Sequence, residues 1–298
     1  MLTGYICGIA TALFSSLSYL FSRSFTSRSG RSPLRLLALS HLLMGVFSIL
    51  LLPFVQQPFP DNISSVLIPL SGTAVFYLAA QAGLFFLLKK NTASNISPLL
   101  GLKILIVGII GVCIGTPFTP LTAGGTVLAA ASVLLLRGNA KNLTFKIIGS
   151  VCIVCTLYAL SDYSIKYLIP AVAQKPVADI HGILTSVAYT YIMTGIISLG
   201  FYKEIFRADL ADWKTSLGFA VCWYAAMCCL FAAFDRVGVV TGVVLQSFRG
   251  TISVLLGALL ARAGLHHLEE KISARMRILQ YTAALCMCAA VFLFFKQS

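Results

Sequence analysis

The chain has 298 residues, of which 58% are hydrophobic and only 10% are charged, and its formal net charge is +13. A soluble domain usually carries about 25% charged residues, so this composition and a mean hydropathy of +0.92 exclude a soluble fold. The basic residues are scattered between apolar stretches and form no folded basic face, which excludes a nucleic-acid-binding protein. We therefore expect an all-α protein embedded in a lipid bilayer.

Ten apolar stretches are each about one bilayer thickness long. They lie at residues 3–21, 34–54, 66–88, 94–114, 119–136, 146–168, 181–202, 215–234, 240–261 and 278–295. The first stretch lacks a basic leading region and a convincing cleavage site, so we interpret it as a retained helix and not as a secretory signal. The connections are short, and none is long enough to hold a separate soluble domain.

An internal repeat runs along the chain. A shift of 146 residues aligns Lys103 with Arg249, and each lies near the centre of its apolar stretch. Further aligned pairs are Tyr77 with Trp223, Ala79 with Ala225, Ala80 with Ala226, Leu84 with Leu230, Phe85 with Phe231, Leu99 with Leu245, Ile106 with Ile252 and Gly111 with Gly257, while a shift of 143 aligns Ser18 with Ser161 and Arg23 with Lys166. Because the order of the helices agrees as well, we infer a duplication, which is typical of secondary transporters.

The repeat divides the chain into two halves of five helices, residues 1–140 and 141–298, which together form one membrane transport domain. Five is an odd number, so consecutive halves must enter the membrane from opposite sides. The sequence therefore predicts ten transmembrane helices in two inverted repeats around a central cavity.

Basic residues are distributed unequally between the two sides of the membrane. Sixteen of the 22 flank the connections after the odd-numbered helices: Arg23, Arg28, Arg31, Arg35, Lys89, Lys90, Arg137, Lys141, Lys146, Lys203, Arg207, Lys214, Arg262, Lys271, Arg275 and Arg277. Only Lys166, Lys175, Arg236 and Lys296 lie on the other side. The positive-inside rule then predicts that the odd-numbered connections are cytoplasmic and that both termini are outside.

Lys103 and Arg249 are the strongest candidate site residues. A charge at the bilayer midplane costs roughly 2.5–3.5 kcal/mol by insertion scales, so such a residue indicates a functional site. Of the nine acidic residues, only Asp162 and Asp235 fall within helices, and both lie toward the ends of the predicted stretches. We therefore predict a cavity with two cations and no central carboxylate, in which an anionic or zwitterionic solute binds Arg249 in a bidentate manner and Lys103 as a point charge.

Structural roles are the alternative for both cations. Lys103 can extend to an interface along its apolar stem or pair with a helix carbonyl at a kink caused by Pro98. Arg249 can bind backbone or Asp162 and hold helices together.

Other polar and aromatic residues within the helices are further candidates for contact with the solute. His41, Gln81 and Gln246 are predicted to line the cavity, although each can equally satisfy a neighbouring helix. Tyr77 and Trp223 occupy equivalent places in the two halves and are predicted to stack on a planar substrate, with ordinary packing as the alternative. Residues predicted to serve gating or close helix packing are Pro98, Gly108, Gly111, Gly250 and Gly257.

No constellation for catalysis or metal binding stands out. Cys152 and Cys155 have C-x-x-C spacing but no further ligands near in sequence, so we interpret them as packing residues. The pair His266-His267 lies with Glu269-Glu270 in a connection, which favours a solvated surface. We therefore predict no enzyme activity, no metal and no cofactor.

The order of features along the chain resembles a known transporter superfamily. The features are the segment Ser97-Pro98-Leu99-Leu100-Gly101-Leu102-Lys103, then Thr119-Pro120-Leu121, and a small-residue helix ending Val133-Leu134-Leu135-Leu136. They resemble the drug/metabolite transporter (DMT) superfamily, in its EamA-like branch. Two departures are Gly115-Thr116, where the family often has Gly-Glu, and Gln246-Ser247, where a Pro is expected.

The resemblance implies inverted repeats, alternating access through a central cavity, cytoplasmic termini and a bacterial inner-membrane location. We predict a secondary transporter that exports or exchanges a small anionic or zwitterionic metabolite, such as an amino acid or related organic acid, as a monomer or homodimer. The alternatives are a multidrug or cationic-compound exporter of the same fold, a channel, and a structural membrane protein.

Overall fold

The computed structural model describes residues 1–26, 31–55, 57–58, 62–90, 100–115, 119–135, 145–175, 177–249, 252 and 274–297. Within these ranges the regular structure is entirely helical. The helices are α1 (Leu2–Thr26), α2 (Pro33–Val55), α3 (Ile63–Lys90), α4 (Leu102–Cys113), α5 (Pro120–Leu135), α6 (Phe145–Ala173), α7 (Ile180–Ser198), the short α8 (Tyr202–Phe206), α9 (Leu210–Val237), α10 (Val239–Ser247) and α11 (Ala274–Gln297).

Six of the described helices are long and apolar enough to cross a membrane. They lie at Leu2–Ser22, Pro33–Val55, Ile63–Leu87, Phe145–Ala173, Ile180–Phe206 and Leu210–Val237. Two predicted stretches are described only in part. In the stretch 94–114 the described helix begins at Leu102, and in 240–261 the helix ends at Ser247.

Helices of one predicted half pack mainly against helices of the other half. The most extensive packing pairs α1 with α9, α2 with α7, α3 with α6 and α5 with α11. Each pair therefore joins one helix from residues 1–140 with one from residues 141–298. Apolar side chains of both halves form a shared core, in which Tyr191, Phe219 and Phe231 are among the largest buried side chains.

Charged residues tie the helix ends together at one end of the bundle. Asp212, in the first turn of α9, is almost completely buried. Its Oδ1 forms an ion pair with Arg31 Nε at 2.5 Å, and its Oδ2 forms one with Arg35 Nη1 at 2.9 Å. Asp209 and Asp212 also form a reciprocal capping box at the start of α9. This arrangement connects the start of α2 to the start of α9 and satisfies a buried carboxylate with two guanidinium groups.

At the opposite end of the bundle, α9 closes onto the connection between α6 and α7. Asp235 Oδ1 accepts a hydrogen bond from the backbone N of Ala178 at 3.1 Å, and Arg236 Nη2 donates to the carbonyl of Ala178 at 2.8 Å. Asp179 caps α7, and its side chain accepts from the backbone N of Gly182 at 2.8 Å. That hydrogen bond lowers the pKa of Asp179 below its usual value of 3.8.

Candidate functional site: a central cavity

A cavity lies between seven helices and contains about 640 Å³ of space between atoms, counting the part open to solvent. Side chains from α1, α3, α4, α6, α7 and α9 and the end of α10 form its wall. The five residues Lys103, Arg249, Gln246, Tyr77 and Trp223, which the sequence analysis predicted as substrate contacts, all line it. The structure therefore brings most of the predicted site into one place, from both halves of the chain.

Lys103 is neutralised within the cavity. Its Nζ lies 2.7 Å from Oδ2 of Asp162 and donates a hydrogen bond of 3.3 Å to Oε1 of Gln246. The ammonium group also lies 5.5 Å from the ring centroid of Tyr158. These contacts join α4, α6 and α10, and they place a carboxylate, an amide and an aromatic face around one cation.

The predicted absence of a central carboxylate is therefore wrong. Asp162 lies well inside α6, which runs on to Ala173, and its side chain is buried in the cavity wall. The predicted stretch 146–168 ended five residues before the helix does, so Asp162 was predicted to lie nearer a helix end than it does. The acidic residue that we considered as a partner for Arg249 instead pairs with Lys103.

Arg249 has a different environment. Its guanidinium lies 5.5 Å from the ring centroid of Tyr19, while its backbone carbonyl accepts a hydrogen bond from Oγ of Ser16 at 3.0 Å. Among the described residues, the guanidinium forms no ion pair, and the same cavity holds only one acidic side chain, Asp162. An anionic group entering the cavity can therefore bind Arg249 without displacing another carboxylate.

Aromatic rings form much of the remaining wall. Tyr77 and Trp223 stack with their centroids 6.4 Å apart and an angle of 23° between their planes. Trp223 also stacks on Phe219 at 5.8 Å, and Tyr191 adds a further ring to the cavity wall. Tyr77 and Trp223 are therefore in direct contact within the cavity wall, and their stacking on a substrate stays a proposal.

His41 and Gln81 are not among the residues that line the cavity, contrary to the prediction. His41 Nδ1 lies 2.7 Å from the carbonyl of Leu37 and Nε2 lies 3.1 Å from the hydroxyl of Tyr77. Gln81 accepts a hydrogen bond from the hydroxyl of Tyr158. Both residues therefore bind the hydroxyls of tyrosines in the cavity wall, because the rotation of α2 and α3 turns His41 and Gln81 toward neighbouring helices.

The predicted packing residues are described in part. Gly108 and Gly111 are buried in α4. A Cβ atom at Gly111 would lie 2.5 Å from the hydroxyl of Tyr163, so this glycine permits the close approach of α4 and α6. Pro98, Gly250 and Gly257 lie outside the described residues.

Tyr19 and Tyr158 line the cavity without having been predicted as site residues, and Asp162 lies in the wall although it was predicted near a helix end. The repeat contained a signal for two of these three, because the shift of 143 residues aligns Tyr19 with Asp162. Other aligned pairs in the cavity wall are Lys103 with Arg249, Tyr77 with Trp223, Leu84 with Leu230 and Leu100 with Gln246. Tyr158 had no such signal. Within the described part of the chain, no three His, Cys, Asp or Glu side chains lie close enough together to hold a metal ion.

Comparisons with known proteins agree with this arrangement. A solved structure titled "Crystal structure of protein" matches with a TM-score of 0.71 at 15% sequence identity, over 100% of this chain and 99% of the other. At that identity the likeness shows the fold alone. No curated protein matches the sequence. The model of the EamA-like transporter family matches residues 2–138. Residues 2–138 therefore match a family of membrane transporters, not enzymes, which belongs to the drug/metabolite transporter superfamily, and the six long apolar helices agree with a multi-pass membrane protein.

Proposed function

We propose that this transporter moves a small anionic or zwitterionic metabolite, such as an amino acid or related organic acid, by alternating access through the central cavity. The observation that carries the proposal is Arg249. Its guanidinium lies in the cavity wall without a carboxylate partner among the described residues, whereas the neighbouring Lys103 is paired with Asp162. Guanidinium binds carboxylate or phosphate through paired hydrogen bonds, so Arg249 is the anchor for the solute.

Two observations support ten transmembrane helices arranged as inverted repeats of residues 1–140 and 141–298. The packing of α1 on α9 has α6 on α3 as its counterpart when the halves are exchanged, while the pairs α2–α7 and α5–α11 map onto themselves. The family match also ends at residue 138, close to the proposed junction. Such a twofold relation lets two similar bundles rock around one site, which is the basis of alternating access.

The proposal also includes an orientation of the chain in the membrane and a cellular location. The basic connections place both termini outside, whereas the family resemblance places them in the cytoplasm, in a bacterial inner membrane. We keep the orientation from the charge distribution. The accessibility of a C-terminal tag in intact spheroplasts tests it, because protection of the tag from added protease places the terminus in the cytoplasm.

The alternatives predict different behaviour. A cation exporter requires a carboxylate that is available to the cargo, but the only described carboxylate of the cavity wall already lies 2.7 Å from Lys103. A channel conducts down a gradient without saturation or exchange, and a structural protein supports no flux. Export and exchange use the same site and differ in the gradient that drives them.

A ligand screen tests the anchor. The purified protein is heated with anionic, zwitterionic and cationic metabolites, beside the Arg249→Gln variant, because a ligand that binds the folded state raises the unfolding temperature. Arg207→Gln is the matched control, since Arg207 is exposed beyond α8. We expect an anion or zwitterion to stabilise the parent and Arg207→Gln but not Arg249→Gln. Equal stabilisation of all three proteins, or stabilisation by cations alone, contradicts the proposed site.

A further inference from the structure

The charged groups of the cavity wall determine the net charge that a solute must bring. The described charged residues are Lys103, Asp162 and Arg249. The first two compensate each other across 2.7 Å, which leaves the wall with one net positive charge. Arg249 is half-buried, and a partner stabilises a charge that is partly withdrawn from water, so a solute that contributes one negative charge completes the site.

Other charge types leave a group without a partner. A dianion adds one negative charge too many unless it takes Lys103 from Asp162. A zwitterion adds an ammonium group, and the only described carboxylate in the cavity wall is already occupied by Lys103. In either case the Lys103–Asp162 ion pair must open before the solute is compensated.

Several hydroxyl groups of the wall donate to protein acceptors. Tyr158 donates to Gln81, Ser161 donates to the carbonyl of Thr73, and Thr190 donates to the carbonyl of Ser186. Because Nδ1 of His41 faces the carbonyl of Leu37, Nδ1 carries the proton and Nε2 accepts from the hydroxyl of Tyr77. These donors are committed to protein acceptors and are not available to a sugar or other polyhydroxyl solute, whereas the buried Trp223 Nε1 has no such acceptor among the described residues.

What remains between the polar groups is aromatic and apolar surface. The stacked rings of Tyr77 and Trp223 lie in the same wall as Leu84, Met227 and Leu230. Flat rings favour offset stacking or edge contacts with another ring and bind it with little loss of side-chain freedom.

We infer that the solute is a net monoanion with an aromatic ring: its carboxylate pairs with Arg249, and its ring packs among the aromatic side chains. This inference rests on the proposed function and narrows it from anions and zwitterions to monoanions. It also assigns a role to Asp162, which sets the charge preference of the site by neutralising Lys103.

Compounds that share one skeleton test the inference. We would measure thermal unfolding of the purified full-length protein with 3-phenylpropanoate, phenylalanine, phenylsuccinate, 3-phenylpropanamide and propanoate. These probes supply, in order, a monoanion, a zwitterion, a dianion, a neutral amide and a monoanion without a ring. We expect 3-phenylpropanoate to bind at least about tenfold more tightly than each of the others, because each lacks one charge-assisted contact, adds an unpaired charge or lacks the ring.

Substitutions in the ion pair should change the preferred charge. Asp162→Asn frees Lys103, so the preference should move to phenylsuccinate. Lys103→Gln frees Asp162, so the preference should move to phenylalanine. The double variant Lys103→Met/Asp162→Leu removes both charges of the ion pair together and keeps the single charge of Arg249, so it should retain the preference for 3-phenylpropanoate even where a single variant fails to fold.

The outcomes separate this inference from the proposed function. If phenylalanine or phenylsuccinate binds the parent best and loses binding in Arg249→Gln, the monoanion assignment is wrong while the anchoring role of Arg249 stands. If no probe stabilises the parent, or the ring gives no advantage over propanoate, the ring-bearing monoanion is wrong. If binding of every active probe is unchanged in Arg249→Gln, both the inference and the proposed site fail.

Discussion

Removing Lys103 should destabilise the protein, and removing its partner as well should restore stability. The ammonium and the carboxylate of Asp162 are 2.7 Å apart, with only 11% and 7% of the two side chains exposed. Breaking a buried pair by removing one partner typically costs about 3–5 kcal/mol, because the remaining charge is left uncompensated. We expect the Lys103→Met variant to lose about 3 kcal/mol in the free energy of unfolding, the lower end of that range, because the cavity retains some access to solvent.

The double variant Lys103→Met/Asp162→Leu provides the decisive comparison. Replacing a buried pair with apolar residues of similar size is often neutral or stabilising by about 1–4 kcal/mol. Equilibrium unfolding in mixed detergent micelles of the parent, Lys103→Met, Asp162→Leu and the double variant completes a double-mutant cycle. We expect the double variant to be at least as stable as either single variant. Additive losses, with the double variant the least stable of the four, would refute the view that the two groups compensate each other.

Three further predictions concern the helix ends and the close packing of α4. Asp212→Ala should lower the free energy of unfolding by about 3–5 kcal/mol, because Arg31 and Arg35 both lose their buried partner. In the same denaturation assay, Glu204→Ala should cost about 0–1 kcal/mol, because it removes only a more exposed contact of 3.4 Å to Arg35. Equal losses would contradict the role of Asp212. Gly111→Ala should lower the free energy of unfolding by about 1–3 kcal/mol, because its Cβ would lie 2.5 Å from the hydroxyl of Tyr163. Gly149→Ala should leave the stability unchanged, because no atom lies within 4 Å of a Cβ there. If Gly111→Ala leaves thermal unfolding unchanged, α4 and α6 are less closely packed than described. Asp179→Ala should lower the unfolding temperature at pH 7. Because the folded-state pKa of Asp179 lies below the usual 3.8, its stabilisation is present above pH 3.8 and is lost as the pH falls through the folded-state pKa. A difference between parent and variant that persists unchanged below the folded-state pKa would contradict the capping role.

Much of the architecture can be predicted from the sequence because apolar stretches of bilayer length have few alternatives to helices. The internal alignment places Lys103 opposite Arg249 and Tyr77 opposite Trp223, and all four residues line the cavity. The partners of those residues are harder to predict. Asp162 reaches Lys103 because α6 packs against α4. A sequence indicates how far along a helix a residue lies more clearly than it indicates which residues of other helices surround it.

Helix rotation explains the remaining errors. His41 and Gln81 are polar residues within apolar helices, and such residues serve a cavity or a neighbouring helix with the same local pattern. In the structure they face Tyr77 and Tyr158, whose hydroxyls they bind. Tyr158 was missed for the same reason, because a tyrosine in a membrane helix has no sequence signature that distinguishes a cavity wall from packing. Only the packed arrangement of α2, α3 and α6 distinguishes the two.

The most direct test of the central claim is counterflow in proteoliposomes. Vesicles containing the parent or Arg249→Gln are loaded with the best ligand from the thermal screen, and uptake of the same labelled ligand from outside is followed. We predict saturable uptake that internal ligand accelerates in the parent and that Arg249→Gln abolishes. Uptake by the parent that is linear in concentration and indifferent to internal ligand, or absent altogether, would contradict transport by alternating access through this cavity.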